Sequence, residues 1–497
     1  MALSSGLSLP SHSSAGRSTW TLSWPLLFGL LVFLSLMNGA SSTLLNDPDS
    51  QWHITVGNWI LAHRAVPDVD TYSFTFTGQP WIAKEWLSQV LLAGAYDIAG
   101  WGGVVALAAL AFATTFALLL RLLLGDIKPI LAMMFTGVAI VLTAPHMLAR
   151  PHALAMPFMV LWVAGMVRAV EERRAPNPWL LVCMLLWANL HGGFTFGLLI
   201  AGAFGLEALF TARDGGERKA LFFGWLKFGV ATCLVACITP YGPESILVTL
   251  RIFNLGDSLK LISEWRSPDF QNQPGQELVL LVALYLALSR GLKLPLFRLL
   301  VVLGLTHMFL RYARNAELLA LLAPLVIAPV LARQWPGVRP DWEAGGIFNR
   351  LAPPAGHRAL ALSLALTATF AAGLVRFGNI APPNDTAPNG ALAYVREANL
   401  KGNVFNHYGF GGFLISAGVP TFVDGRAELF GGEFIKDYVD AANLRGKDGS
   451  FEALLERWHI DWTMLNKDAP ANKLLTRLPG WRQAYTDDQA TIFVRDR

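Results

Sequence analysis

"GGVVALAALAFATTFALLLRLL", residues 102–123, decides the class of fold. Its only charge is Arg121. About 20 predominantly apolar residues are enough for a helix to cross a bilayer. Comparable stretches lie near 22–40, 129–145, 152–169, 178–190, 193–211, 221–239, 276–289, 296–310, 315–332 and 358–376, which gives about eleven transmembrane helices. Composition agrees. The chain is 54% hydrophobic and 15% charged, with a mean hydropathy of +0.43. The fold class is a polytopic α-helical membrane protein. The net charge of +4 is scattered over loops, with no basic stripe interleaved with aromatics, which excludes a nucleic-acid partner. Cys183, Cys233 and Cys237 all fall inside apolar segments and form neither a disulfide framework nor a zinc pattern. "NGASS" (Asn38 to Ser42) has the small residues of a cleavage site, but only Arg17 precedes the apolar run, and similar spans follow; an uncleaved first helix is expected.

Loop charges orient the chain. With the N-terminus inside, the internal turns carry Arg121 and Lys128; Arg168, Arg173 and Arg174; Arg213, Arg218 and Lys219; Arg290, Lys293 and Arg298; then Arg333, Arg339 and Arg350. This is the positive-inside pattern. It puts the outer loop 41–100 and everything after about 377 on the other side. The chain divides into a transmembrane module (1–376), a linker (377–390) marked by "APPNDTAPNG", and an extracytoplasmic domain (391–497). In the last, "NVFNHY", "TFVDG", "WTMLN" and "ATIFVR" read as strands, and "EFIKDYVDAANL" and "FEALLERW" as helices, which makes a small α/β domain.

The first outer loop concentrates polar chemistry. It holds Asp47, Asp49, Asp68 and Asp70, with Trp52 and His53 between them and Glu85 opening a second helix. "EWLSQVLLAGAYDIAG" is expected to lie at the interface. The bland readings are a helix N-cap at Asp49 and a plain turn at "PDVDTYS". The other outer turns bring His146, Arg150 and His152; Asn189 and His191; Tyr241, Glu264, Arg266 and Asp269; and Arg311, Arg314, Asn315 and Glu317. Ionisable groups at membrane depth are costly and are functional candidates by default. Arginine's planar fork suits phosphate oxygens. A carboxylate takes a proton from an attacking hydroxyl or binds a cation. Together these groups fit a phosphate-bearing, membrane-embedded substrate.

This layout resembles the GT-C superfamily of membrane glycosyltransferases: many helices, an acidic motif in a large first outer loop, and a C-terminal extracytoplasmic domain. "DPDSQW" (Asp47 to Trp52) is similar to the Asp-Pro start of that loop in oligosaccharyltransferase catalytic subunits. "DSQWH" (Asp49 to His53) is similar to the Asp-x-x-aromatic-His form of bacterial members. The two registers nominate different aspartates, and the second also accounts for His53. "FNHYGFGGFLISAGVPTFVDGRAELF" (Phe405 to Phe430) looks like a segment of bacterial multi-pass proteins of this type. No Trp-Trp-Asp triplet follows it, which argues against protein N-glycosylation.

The resemblance implies a bacterial inner-membrane enzyme that takes a sugar from a polyprenyl-phosphate donor, among membrane lipids, to a glycan, lipid or protein acceptor, with inversion. Asp49 or Asp47 would be catalytic, or would hold a divalent cation (Mg or Mn). His53, Glu85, His146, Arg150, His152, His191, Glu264, Arg266, Arg311 and Arg314 would bind substrate. "GFGGF" lacks the spacing of a nucleotide loop and reads as a packing motif. Asp424, Arg426 and Glu428 of "DGRAELF" read as an internal ion pair or as an acceptor-facing loop. A transporter or lipid flippase and a non-catalytic polysaccharide-export partner are the competing classes.

Overall fold

The computed structural model describes residues 18–38, 41–253, 265–342, 345–446 and 449–496. Helices occur at all eleven ranges expected from hydropathy. By length and composition, six are able to cross a membrane: Trp86–Leu123, Pro129–His146, Pro151–Glu171, Gly215–Ala236, Ala313–Gln334 and His357–Phe377. Three more are apolar but shorter, namely Trp24–Asn38, Leu180–Leu190 and Phe194–Phe210. Among the described residues, this criterion therefore supports a multi-pass protein without reaching a count of eleven.

Trp86–Leu123 is two helices joined at a kink, with non-helical backbone at Ala99 and Gly100. Gly100 has φ of 57°, a conformation that costs glycine little and other residues more. The kink separates the expected interfacial helix from the span that starts at Trp101. The span packs in the middle of the bundle against Trp24–Asn38 and Pro151–Glu171, with Phe112, Phe116 and Leu119 fully buried.

The turns sort to two ends. At one end Arg333 and Arg298 both pair with Glu171, and Arg298 also pairs with Glu207 at 2.8 Å. Arg173 pairs with Glu217 at 3.2 Å, and the Lys128 amide donates to the Val338 carbonyl. The charged turns read as internal thus share one end. The acidic loop, the His146–His152 turn, the His191 turn and the Arg314 turn meet at the other.

The C-terminal sheet runs β1 (Asn403–Asn406), β2 (Ile460–Asn466), β4 (Ala490–Arg495), β3 (Trp481–Thr486) in spatial order. β1 and β2 are parallel, and the other pairs are antiparallel. "NVFNHY", "WTMLN" and "ATIFVR" form strands, and both expected helices form. "TFVDG" does not form a strand. The buried Asn406 side chain takes the Phe422 amide at 2.8 Å and donates to the Val423 carbonyl at 2.8 Å. Thr421 makes only a bridge, to Ser73 of the first outer loop. The β3 strand was not expected; it is an edge strand whose burial pattern is mostly exposed.

Candidate functional site

The acidic loop is built around Arg150. Asp47 is buried, with its side chain wholly covered, and takes the Arg150 guanidinium at 2.5 Å. It also accepts from the Ser50 hydroxyl at 2.7 Å and the Asp49 amide at 3.1 Å. Asp49 opens the helix Ser50–His63 but makes no side-chain cap bond, so the capping reading fails. Its carboxylate accepts from Trp52 Nε1 at 3.1 Å and pairs with Arg150, also at 3.1 Å. The C-terminal domain closes over it. A Cβ on Gly425 would lie 1.9 Å from Asp49 Oδ1, and one on Gly412 would lie 2.1 Å from the Pro48 carbonyl. Only glycine lets these backbones come so near. Gly412 belongs to "GFGGF", which is therefore a packing motif.

Glu85 stands between two imidazoles, 3.9 Å from His53 Nε2 and 3.6 Å from His191 Nε2. Burial raises the Glu85 pKa and, with Arg150 as the next cause, holds that of His53 well below the usual imidazole value. Burial thus opposes charge on both members, and the His53 contact is not a conventional ion pair. Gln89 meets His53 Nδ1 at 3.3 Å. The Gly193 amide donates to His191 Nδ1 at 3.2 Å, which leaves its proton on Nε2, facing Glu85. Beside Glu85, Lys84 reaches across to Glu428 of the C-terminal domain at 2.6 Å. His152 lies 3.6 Å from Glu317, and the Arg314 guanidinium stacks 4.6 Å over the Trp265 ring.

A second charged group ties the first outer loop to the C-terminal domain. Arg426 has a wholly buried side chain and meets Asp424 at 2.7 Å and Asp70 at 2.5 Å. It lies 4.9 Å over Trp81 and 5.3 Å over Tyr72. Asp70 also takes the Ser73 hydroxyl at 2.5 Å. Asp70, Asp424 and Arg426 are a structural clamp, while Asp68 is exposed. Of "DGRAELF", Asp424 and Arg426 form the internal ion pair, while Glu428 lines the cavity.

The acidic loop and the turns that carry Glu85, Arg150, His191 and Arg314 surround one cavity of about 1160 Å³. Asp49, His53, Glu85, His146, Arg150, His152, His191, Arg266 and Arg314 line it. Two candidates do not belong with them. Asp47 is behind the wall, its carboxylate spent on Arg150 and Ser50. Arg311 points away, donating to the Tyr312 hydroxyl at 3.0 Å on an exposed surface. Glu264 lies outside the described residues. A divalent cation at Asp47 and Asp49 does not fit either. Both oxygens of Asp47 are taken by Arg150, the Ser50 hydroxyl and the Asp49 amide, and no group of three or more His, Cys, Asp or Glu among the described residues is arranged to hold a metal.

Sequence reasoning missed Lys84, Trp265 and Trp187 on the bundle side, and His407, Tyr438, Asn443 and Asn466 on the C-terminal side. Lys84 had a signal: it is the one lysine of the 41–100 loop and stands next to Glu85. The C-terminal residues had none, because strand ends and helix faces are brought to the cavity by the sheet.

No family model matches the chain, and no curated protein matches it. Among solved structures it is similar to the crystal structure of ArnT from Cupriavidus metallidurans bound to undecaprenyl phosphate, at 13% identity and a TM-score of 0.48, over 95% of this chain and 97% of that one.

Proposed function

We propose that this chain is a membrane glycosyltransferase that moves a sugar from a polyprenyl-phosphate-linked donor to a hydroxyl acceptor, at the end of the bundle that the charged turns make external. The carrying observation is one cavity in which a partly exposed carboxylate, Asp49, lies 3.1 Å from Arg150, with Lys84, Arg266 and Arg314 on the same walls. In the reaction the acceptor oxygen attacks the anomeric carbon, and the bond from that carbon to the phosphate oxygen breaks. The acceptor proton passes to Asp49, and polyprenyl phosphate leaves with the bonding pair. A single displacement inverts the anomeric centre. Lys84, Arg266 and Arg314 supply the cationic groups that charge on the leaving phosphate requires. Arg150 holds Asp49 in place through their ion pair. Asp47 fixes Arg150 in turn.

The test is transfer of radiolabel from a panel of polyprenyl-phosphate sugars into membrane extracts. Transfer by the wild type and its loss in Asp49→Asn supports the reading. Lipid-linked sugar crossing the bilayer of proteoliposomes with no transfer would support a flippase instead.

A further inference from the structure

The two halves of the cavity differ in chemistry. The membrane module supplies Lys84, Arg150, Arg266 and Arg314, while the C-terminal domain supplies one lining cation, Arg445. Beside Arg445 and the carboxylates of Glu428 and Asp468, the C-terminal wall presents neutral polar groups, several with hydrogen-bonding atoms left over. His407 lines the cavity, and its Nδ1 accepts the Gly409 amide at 3.2 Å, so the ring proton sits on Nε2. Burial brings its pKa down to about 4, so that at neutral pH the ring is an uncharged donor. Asn443 uses its Nδ2 on the Val439 carbonyl at 2.8 Å. Asn466 uses its Oδ1 on the Asp468 amide at 3.2 Å. Among the described residues, Asn443 Oδ1, Asn466 Nδ2 and His407 Nε2 have no protein partner. Tyr438 is buried; its hydroxyl accepts the Tyr408 amide at 2.8 Å and keeps its own proton to donate. Apolar surface of Val439, Ala442, Ala469 and Pro470 lines the same wall.

We propose that this wall is the acceptor subsite, and that the acceptor is a neutral carbohydrate held by His407, Asn443, Asn466 and Tyr438; this rests on the transferase reading of the same cavity. Sugar hydroxyls both donate and accept, so they match a wall that offers donors and an acceptor in fixed directions. Their C–H faces match the apolar strip. An anionic headgroup would call for cations, which this wall largely lacks, and a lipid tail would leave these polar atoms dry and unpaired.

The experiment uses the full chain in detergent micelles and a panel of neutral di- and trisaccharides of glucose, galactose, mannose and N-acetylglucosamine, read by saturation-transfer NMR. Decaprenyl phosphate binding is followed separately by tryptophan fluorescence. At least one saccharide should bind the wild type. The Asn443→Ala/Asn466→Ala double variant should bind it roughly tenfold more weakly, the loss expected for two neutral hydrogen bonds. Decaprenyl phosphate binding should stay within about twofold, as for sites that share no partner. If the double variant unfolds, His407→Ala against His407→Gln decides: glutamine carries an N–H in place of Nε2 and should restore binding that alanine loses. Binding by no saccharide, or equal binding by wild type and variants, overturns the proposal. Failure of decaprenyl phosphate to bind the wild type would instead count against the transferase reading.

Discussion

Asp47 and Asp49 are two residues apart and share one arginine, yet the structure assigns them opposite sensitivities to the same substitution. Asp47→Asn removes the charge from a carboxylate with no exposed side-chain surface, which accepts from Arg150 at 2.5 Å, Ser50 at 2.7 Å and the Asp49 amide at 3.1 Å. An amide keeps one acceptor oxygen and turns the other position into a donor that faces donors. Removing one partner of a buried ion pair costs about 3–5 kcal/mol. Arg150 is 14% exposed and retains Asp49, so about 2–4 kcal/mol is the expected loss. Asp49→Asn is different. Its side chain is 17% exposed, the amide oxygen still accepts from Trp52 Nε1, and Arg150 still has Asp47. Its stability cost should be about 1 kcal/mol or less, while the loss of a general base costs about 10² to 10⁴ in rate.

The assay is therefore paired: thermal unfolding of each variant in detergent, and transfer from a polyprenyl-phosphate sugar per folded molecule. Asp49→Asn should unfold near the wild type and be almost inactive. Asp47→Asn should unfold well below it. Full transfer by Asp49→Asn would refute the assignment of the base, and wild-type stability of Asp47→Asn would refute the account of Arg150.

Three further outcomes follow from the geometry. Arg426→Met leaves Asp70 and Asp424 as buried, uncompensated carboxylates, and should cost about 3–5 kcal/mol, seen as loss of the thermal transition or as faster proteolysis between the first outer loop and the C-terminal domain. Gly425→Ala places a Cβ 1.9 Å from Asp49 Oδ1; the C-terminal sheet should stay folded by hydrogen exchange while transfer falls by at least an order of magnitude, the scale of losing a positioned base. Burial pushes the carboxyl of Asp126, in the turn after Leu123, up from 3.8 to about 6, so its contribution to stability is fullest below pH 4 and is lost as pH rises through 6. Asp126→Asn should flatten that fall, worth at most about 3 kcal/mol, in unfolding followed from pH 4 to pH 8.

The helical module was legible because crossing a bilayer imposes a one-dimensional requirement, a run of apolar residues, which residues 102–123 meet on their own. The kink at Gly100 was legible for a similar reason: an amphipathic stretch gives way to an apolar one there. "TFVDG" was misread because its alternation resembles a strand, whereas its backbone is satisfied by Asn406, fifteen or more residues upstream, and by the Tyr72 carbonyl and Phe74 amide, across a domain boundary. Arg311 and Arg314 show the same limit within one turn. Both stand in an outer loop, and only the local 3₁₀ turn at Ala313–Asn315 decides that one reaches the cavity and the other the surface.

The four aspartates between Asn46 and Phe74 divide by partner rather than by position. Asp49 faces a space, Asp47 faces the arginine that holds Asp49, Asp70 faces an arginine of the C-terminal domain, and Asp68 faces solvent. Asp70 is the most revealing of these. A carboxylate in a turn needs no remote partner, yet this one is buried against Arg426 beneath Trp81 and Tyr72. The clamp lies two residues from Glu428, which meets Lys84 at 2.6 Å, and one residue from Gly425, which presses on Asp49. A buried charge pair in this setting contributes little net stability over apolar residues of the same size. What it adds is register: slipping the domain by one residue would part Asp70 from Arg426. The short run from Asp424 to Glu428 thus sets where the C-terminal wall stands relative to the acidic loop, and with it the distance between the base and whatever the C-terminal domain holds.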